Sequence, residues 1–307
     1  MDLLLDATLY SSTLRAVTPI LLAALGGALC ARVGLFNVGL EGLILIGAFS
    51  AIVGNHLTGN IWLALLFAMT CVMMFSLLFA YMTIHLKANV IVVGVALNFL
   101  ALGLTTFSLR AIFDVKGSYV DRNMVGLPRW EIPLIHDIPW IGRVVSGHSP
   151  LVYFGLLMVV LLYVYMFRTV SGFRLRAAGE NPIASRSLGI RVTQYQYGAM
   201  IACGALCGLA GAQLSLGQLT LFTEGMTNGR GFIALVATML GQSNPLGVGA
   251  SSLLFGFMGS LSTRLQGMAL PTQFTSMLPF VVTLLAMFFF RNKSQLADAR
   301  RSNESSR

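Results

Sequence analysis

The sequence predicts an all-α, polytopic membrane protein with about eight to ten spanning helices, one or two of them broken or re-entrant. Three observations predict it. Hydrophobic residues fill 56% of the 307 positions and charged residues only 10%, with a mean hydropathy of +0.79. A soluble domain carries about 25% charged residues, so this apolar excess has no aqueous arrangement that buries it. The apolar residues gather in runs close to the length of about 20 residues that crosses a hydrocarbon core. The 32 glycines are the third sign, because small residues let membrane helices approach closely.

Candidate spans run 14–29, 39–54, 61–84, 90–109, 151–168, 196–216, 229–241, 246–263 and 272–290. The start MDLLLDATLY carries Asp2 and Asp6 where a secretory signal has a basic region, so the first span is expected to be retained. Span 61–84 has almost no polar content, and span 272–290 ends in LLAMFFF. Segment 229–241 is short. At 1.5 Å per residue it reaches about 20 Å of a core roughly 30 Å thick, which predicts a half-helix or a re-entrant element. The Gly-rich stretch 34–42 has the same character. Such backbone needs protein or a water-filled cavity around it. In CGALCGLAGA, residues 203–212, Gly204, Gly208 and Gly211 recur at helical spacing and predict a packing seam.

Residues 1–290 read as one transmembrane domain, interrupted by two polar loops. Residues 110–149, with Pro128, Pro133 and Pro139, are expected outside the membrane. Residues 169–195 are expected in the cytoplasm, followed at the end by a polar cytoplasmic tail, 291–307. With the N-terminus outside and nine crossings, twelve Lys and Arg fall on the inner side and seven on the outer. The positive-inside rule favours this orientation, with the C-terminus in the cytoplasm. The net charge of +9 is then assigned to loops beside anionic headgroups, since no basic run with interleaved aromatics points to nucleic acid.

Several chemistries have no motif here. GxxxxGK[ST], HExxH, CxxC and GxSxG are all absent, and the spans hold no aspartate–histidine constellation, so no enzyme is expected. The cysteines at 30, 71, 203 and 207 read as small packing residues, and the four histidines are scattered, so neither a metal nor a cofactor is assigned. Between residues 33 and 109 the only charges are Glu41 and Lys87. That is sparse for a proton relay, although one carboxylate can suffice.

The polar residues Asn37, Glu41, Asn98, Gln213, Gln218, Asn228, Gln242 and Asn244 lie in or beside apolar runs. Amides both donate and accept hydrogen bonds, so they suit a neutral, hydroxyl- or amide-rich solute, and equally suit bonding between helices. Glu41, in NVGLEGLILIGAF, stands where a carboxylate costs several kcal/mol. Two roles stand open for it: holding a broken helix, or lining a pathway. Glycines at 34, 39, 42 and 47 would let a turn open there and leave N–H groups for the carboxylate. The inner loop RAAGENPIASRSLGIRV, 176–192, is too polar for lipid. Asn181 as a cap and Pro182 in the first turn predict a short surface helix over about 182–188. A motor protein could push on such a helix.

Four ordered blocks make the chain recognisable: ARVGLFNVGLEGLILIGAFSA, LKANVIVVGVALNFLALGLTTF, FRLRAAGENPIASRSLGIRV and GRGFIALVATMLGQSNPLGVGASSLLFG. The chain resembles the permease subunit of an ABC importer in the branched-chain amino acid and simple sugar permease superfamily, on its nucleoside/simple-sugar branch. The resemblance covers about residues 14–290. It implies a bacterial plasma membrane location and a division of labour. A separate ABC ATPase subunit hydrolyses ATP, an extracytoplasmic solute-binding protein delivers a nucleoside or simple sugar, and a second permease completes a heterodimer or homodimer. It also implies that Arg176, Gly179, Glu180, Asn181, Ser187, Leu188 and Gly189 form the ATPase-coupling segment. Asn37, Glu41, Asn98, Phe222 and Phe232 are implied to face the substrate pathway. A branched-chain amino acid permease and a stand-alone secondary carrier are the alternatives.

Overall fold

The computed structural model describes residues 7–120, 124–130, 146–266 and 281. The predicted span 272–290, apart from Val281, and the tail 291–307 lie outside the described residues, as do 121–123 and 131–145 of the outer loop.

Among the described residues ten α-helices follow one another: α1 Ala7–Arg32, α2 Leu40–Thr58, α3 Ile61–Ile84, α4 Val90–Phe113, α5 Pro150–Arg168, α6 Val170–Glu180, α7 Pro182–Ser187, α8 Val192–Ala212, α9 Arg230–Leu240 and α10 Pro245–Gln266. A π-helical turn, Gln213–Gln218, extends α8. Seven of the helices are long and apolar enough to cross a membrane: α1 to α5, α8 and α10. Side chains set their starts. Asn60 Oδ1 accepts from Trp62 N at 3.0 Å and begins α3; Asn89 Oδ1 accepts from Ile91 N at 2.9 Å and begins α4.

Helices α1, α2 and α8 form the centre. The predicted glycine seam is where α8 meets its neighbours: Gly204 and Gly208 lie on Met73 and Met69 of α3, and Gly211 on the backbone of Ile44 and Ala48 in α2. Helices α3, α4 and α5 leave most of their surface outward. On α4 that surface carries Ile91, Val92, Phe99 and Phe107, an apolar face suited to acyl chains rather than water.

Two short strands tie loops together at one end of the bundle. β1, Ser118–Tyr119, pairs antiparallel with β2, Phe222–Thr223, so the chain after α8 is pinned beside the end of α4. Twenty residues later the chain is at the opposite end, where Arg32, the last residue of α1, donates to the carbonyls of Gln242 and Ser243. Between these points it traverses the bundle, and only the final 11 residues are helical. This is the half-helix expected from the short 229–241 segment. At 1.5 Å per residue α9 covers about 16 Å, so its N-terminus sits near half the depth of a core roughly 30 Å thick. The Gly-rich stretch before α2 behaves alike: residues 33–39 are non-helical and bring the start of α2 beside Gly27 of α1.

Candidate functional site

Two helices therefore begin inside the membrane, α2 and α9, and each leaves backbone N–H groups without an intrahelical partner. Lipid cannot satisfy them, so protein groups or a water-filled cavity must. The polar residues singled out from the sequence do so. Glu41, in the first turn of α2, accepts Gly229 N at 2.8 Å through Oε1 and Gly231 N at 2.6 Å through Oε2. The carboxylate thus caps α9, where the helix dipole favours a negative charge. The glycines of FNVGLEG do not supply these donors, contrary to the sequence expectation. Gly39 N is taken by Asn37 Oδ1 at 2.9 Å and Gly42 N by Asn98 Oδ1 at 2.8 Å, leaving the carboxylate to reach across to α9. Asn98, on α4, also donates Nδ2 to Val38 O at 3.1 Å, so it satisfies the broken stretch on both sides. Asn37 is buried, with its Nδ2 3.6 Å from Cys203 Sγ on α8.

Gly231 is fixed by this contact. A Cβ there would lie 2.7 Å from Glu41 Oε2 and closer still to the Glu41 backbone. Only glycine lets α9 begin against α2.

The structure brings Asn37, Glu41 and Asn98 to one junction. The two phenylalanines are elsewhere. Phe222 in β2 is fully buried, edge-to-face on Phe49 of α2 with ring centroids 5.2 Å apart. Phe232, on α9, is exposed.

Above the junction a cavity of about 850 Å³ opens toward the end that bears β1 and β2. Its lining includes Arg15, Gln213, Gln218, Asn228, Arg230 and Phe255. Gln213 is fully buried; its Oε1 accepts from Ser149 Oγ at 2.8 Å, while its Nε2 has no hydrogen-bond partner among the described residues. Gln218 Nε2 donates to Arg15 O at 2.7 Å. None of the five pathway residues implied by resemblance lines this cavity. The amides Gln213, Gln218 and Asn228 do. Arg230 also lines it, from the start of α9. Its guanidinium folds back to Met226 O at 3.1 Å. The available signal was the GRG triplet opening a half-length apolar segment.

At the other end, Asn181 Oδ1 accepts Ala184 N at 3.0 Å and starts α7, with Pro182 in its first turn. Glu180 and Asn181 are exposed, and Ser187, Leu188 and Gly189 follow on the same outward surface. Ile183 and Leu188 are 79% and 81% exposed. Arg176 lies inward, its guanidinium 4.7 Å from the Phe167 ring. Gly179 packs on the end of α1: a Cβ there would come 2.9 Å from Gly34 N and closer to the carbonyl of Arg32.

Comparison with known proteins agrees with this architecture. Residues 9–287 match the family model described as branched-chain amino acid transport system / permease component. The chain is 36% identical over 288 residues to the nucleoside ABC transporter permease protein NupC of Lactococcus lactis, covering 90% of each chain. It is 34% identical over 305 residues to the guanosine ABC transporter permease protein NupQ of Bacillus subtilis, covering 95% of this chain and 93% of the relative. The fold is similar, with a TM-score of 0.51 and 16% identity, to an ABC transporter of metal-chelate type solved in an inward-facing conformation, over 91% of this chain and 85% of that one. The chain belongs to this family of ABC transporter permeases and is a multi-pass membrane protein.

Proposed function

We propose that the chain is the permease subunit of an ATP-driven importer for a nucleoside or simple sugar, forming the route through the bilayer while a separate ABC ATPase subunit supplies the work. The observation that carries the reading is the similarity, over at least nine-tenths of the chain, to permeases named for nucleosides and for guanosine. The cavity chemistry supports it. Amides and hydroxyls such as Gln213, Gln218, Asn228 and Ser12 match the donors and acceptors of a base or a sugar.

In this reading the cavity receives the solute from an extracytoplasmic binding protein, with the N-terminus outside and the C-terminus in the cytoplasm of a bacterial inner membrane. A second permease, identical or related, completes the path. Asn37, Glu41 and Asn98 shape the pathway by holding the two half-buried helix starts, and Phe232 offers a ring for stacking. Arg176, Gly179, Glu180, Asn181, Ser187, Leu188 and Gly189 form the segment that docks on the ATPase, with Ile183 beside them. ATP binding closes the ATPase pair, moves this segment and alternates the side to which the path opens.

The test is uptake of a labelled nucleoside into proteoliposomes holding the chain with its ATPase, partner permease and binding protein. Uptake that requires ATP and is competed by nucleosides more than by pentoses or branched-chain amino acids is expected. Uptake that proceeds without the ATPase and collapses with an uncoupler at constant ATP would make the chain a secondary carrier instead.

A further inference from the structure

The short helix α9 is gripped at both ends by one stretch of chain, residues 32–41. At its N-terminus Glu41 accepts Gly229 N and Gly231 N. Past its C-terminus Arg32 donates Nη2 to Gln242 O and Nε to Ser243 O, both at 2.9 Å. Gln242 and Ser243 hold positive φ values of 51° and 52°, so this corner is a sharp, sparsely populated turn that needs external support. Along its length α9 is also tied to α1, through Thr238 Oγ1 and Ala24 O at 2.9 Å. The cytoplasmic segment touches the same stretch, since Gly179 of α6 lies against the carbonyl of Arg32 and the N–H of Gly34.

We infer that Arg32 is a positioning residue that transmits movement of the cytoplasmic segment to α9 and so to the floor of the cavity, which Arg230 and Ile233 of α9 help to line. The guanidinium suits the task because its planar fork reaches two carbonyls at fixed spacing. Displacing α6 shifts the end of α1; the fork carries the α9–α10 corner with it; α9, tied also by Glu41 and Thr238, moves as one body. The inference rests on the importer reading above, because it needs an ATPase acting on the cytoplasmic segment.

The experiment compares the unaltered chain with Arg32→Ala and Arg32→Lys in the complete reconstituted complex, measuring ATP hydrolysis and nucleoside uptake in the same vesicles. Hydrolysis stays within about twofold in Arg32→Ala, while solute moved per ATP falls about three- to thirtyfold. Arg32→Lys, which can reach one carbonyl but not both, falls between. A residue that merely holds the fold together would lower hydrolysis and uptake in parallel, and that result overturns the inference. So does an unchanged solute-per-ATP ratio in both variants. If Arg32→Ala fails to fold, Arg32→Lys decides by the same ratio. An unaltered complex with no ATP-driven uptake overturns the importer reading and this inference together, whereas a working complex with indifferent variants overturns this inference alone.

Discussion

The Glu41 carboxylate accepts the backbone N–H of Gly231, 190 residues further along the chain, at 2.6 Å and so caps α9. Replacing it by alanine strips two part-buried donors of their acceptor. Glu41→Ala is expected to destabilise the protein by about 2–4 kcal/mol, and Glu41→Gln by less, since one amide oxygen remains to accept. Thermal unfolding of the purified chain in nanodiscs, followed by intrinsic fluorescence, measures both. Equal midpoints for all three proteins would remove the capping role.

Gly231→Ala puts a methyl group against the Glu41 backbone with no flexible neighbour to yield. Overpacking of this kind costs about 1–3 kcal/mol. The same unfolding measurement reads it, and the loss should shrink in a Glu41→Ala background because the two changes disturb one contact.

Asn98→Leu keeps the side-chain size but leaves Gly42 N and Val38 O without partners. We expect a loss of about 2–3 kcal/mol and diminished uptake. A leucine variant with unchanged stability would mean that another group takes over both bonds.

Ile183→Glu and Leu188→Glu change open surface positions on and beside α7. Each should alter stability by no more than about 0.5 kcal/mol. Both should reduce co-purification of the ATPase subunit, in line with the proposed docking segment. Retention of the ATPase at full yield by the double variant would count against that surface.

The fold was legible where hydrophobicity is uniform. The predicted span 61–84 coincides with Ile61–Ile84, because no charged residue interrupts the run between the Asn60 cap and His85. The first span was read as 14–29 and runs Ala7–Arg32. Its polar ends hide within the helix: Ser12 and Thr13 each donate to Leu9 O at 2.8 Å, and so behave as apolar residues. The half-helix was legible from length alone. The partner of Glu41 was not, since no local pattern couples positions so far apart in sequence. Asn37, Glu41 and Asn98 could be picked out as costly residues at depth, but the choice between bonding and lining needed coordinates. The cavity is built from six separated parts of the chain, including the π-helical turn, and leaves no periodic trace.

The broken crossing has a consequence for biogenesis. A segment of 11 helical residues opened by Arg230 and preceded by irregular chain is too short and too polar to be released into lipid by itself during synthesis. Its first donors are satisfied by Glu41 of α2, and its far corner is held by Arg32 of α1. We expect it to enter the bilayer against a bundle in which those two helices already stand.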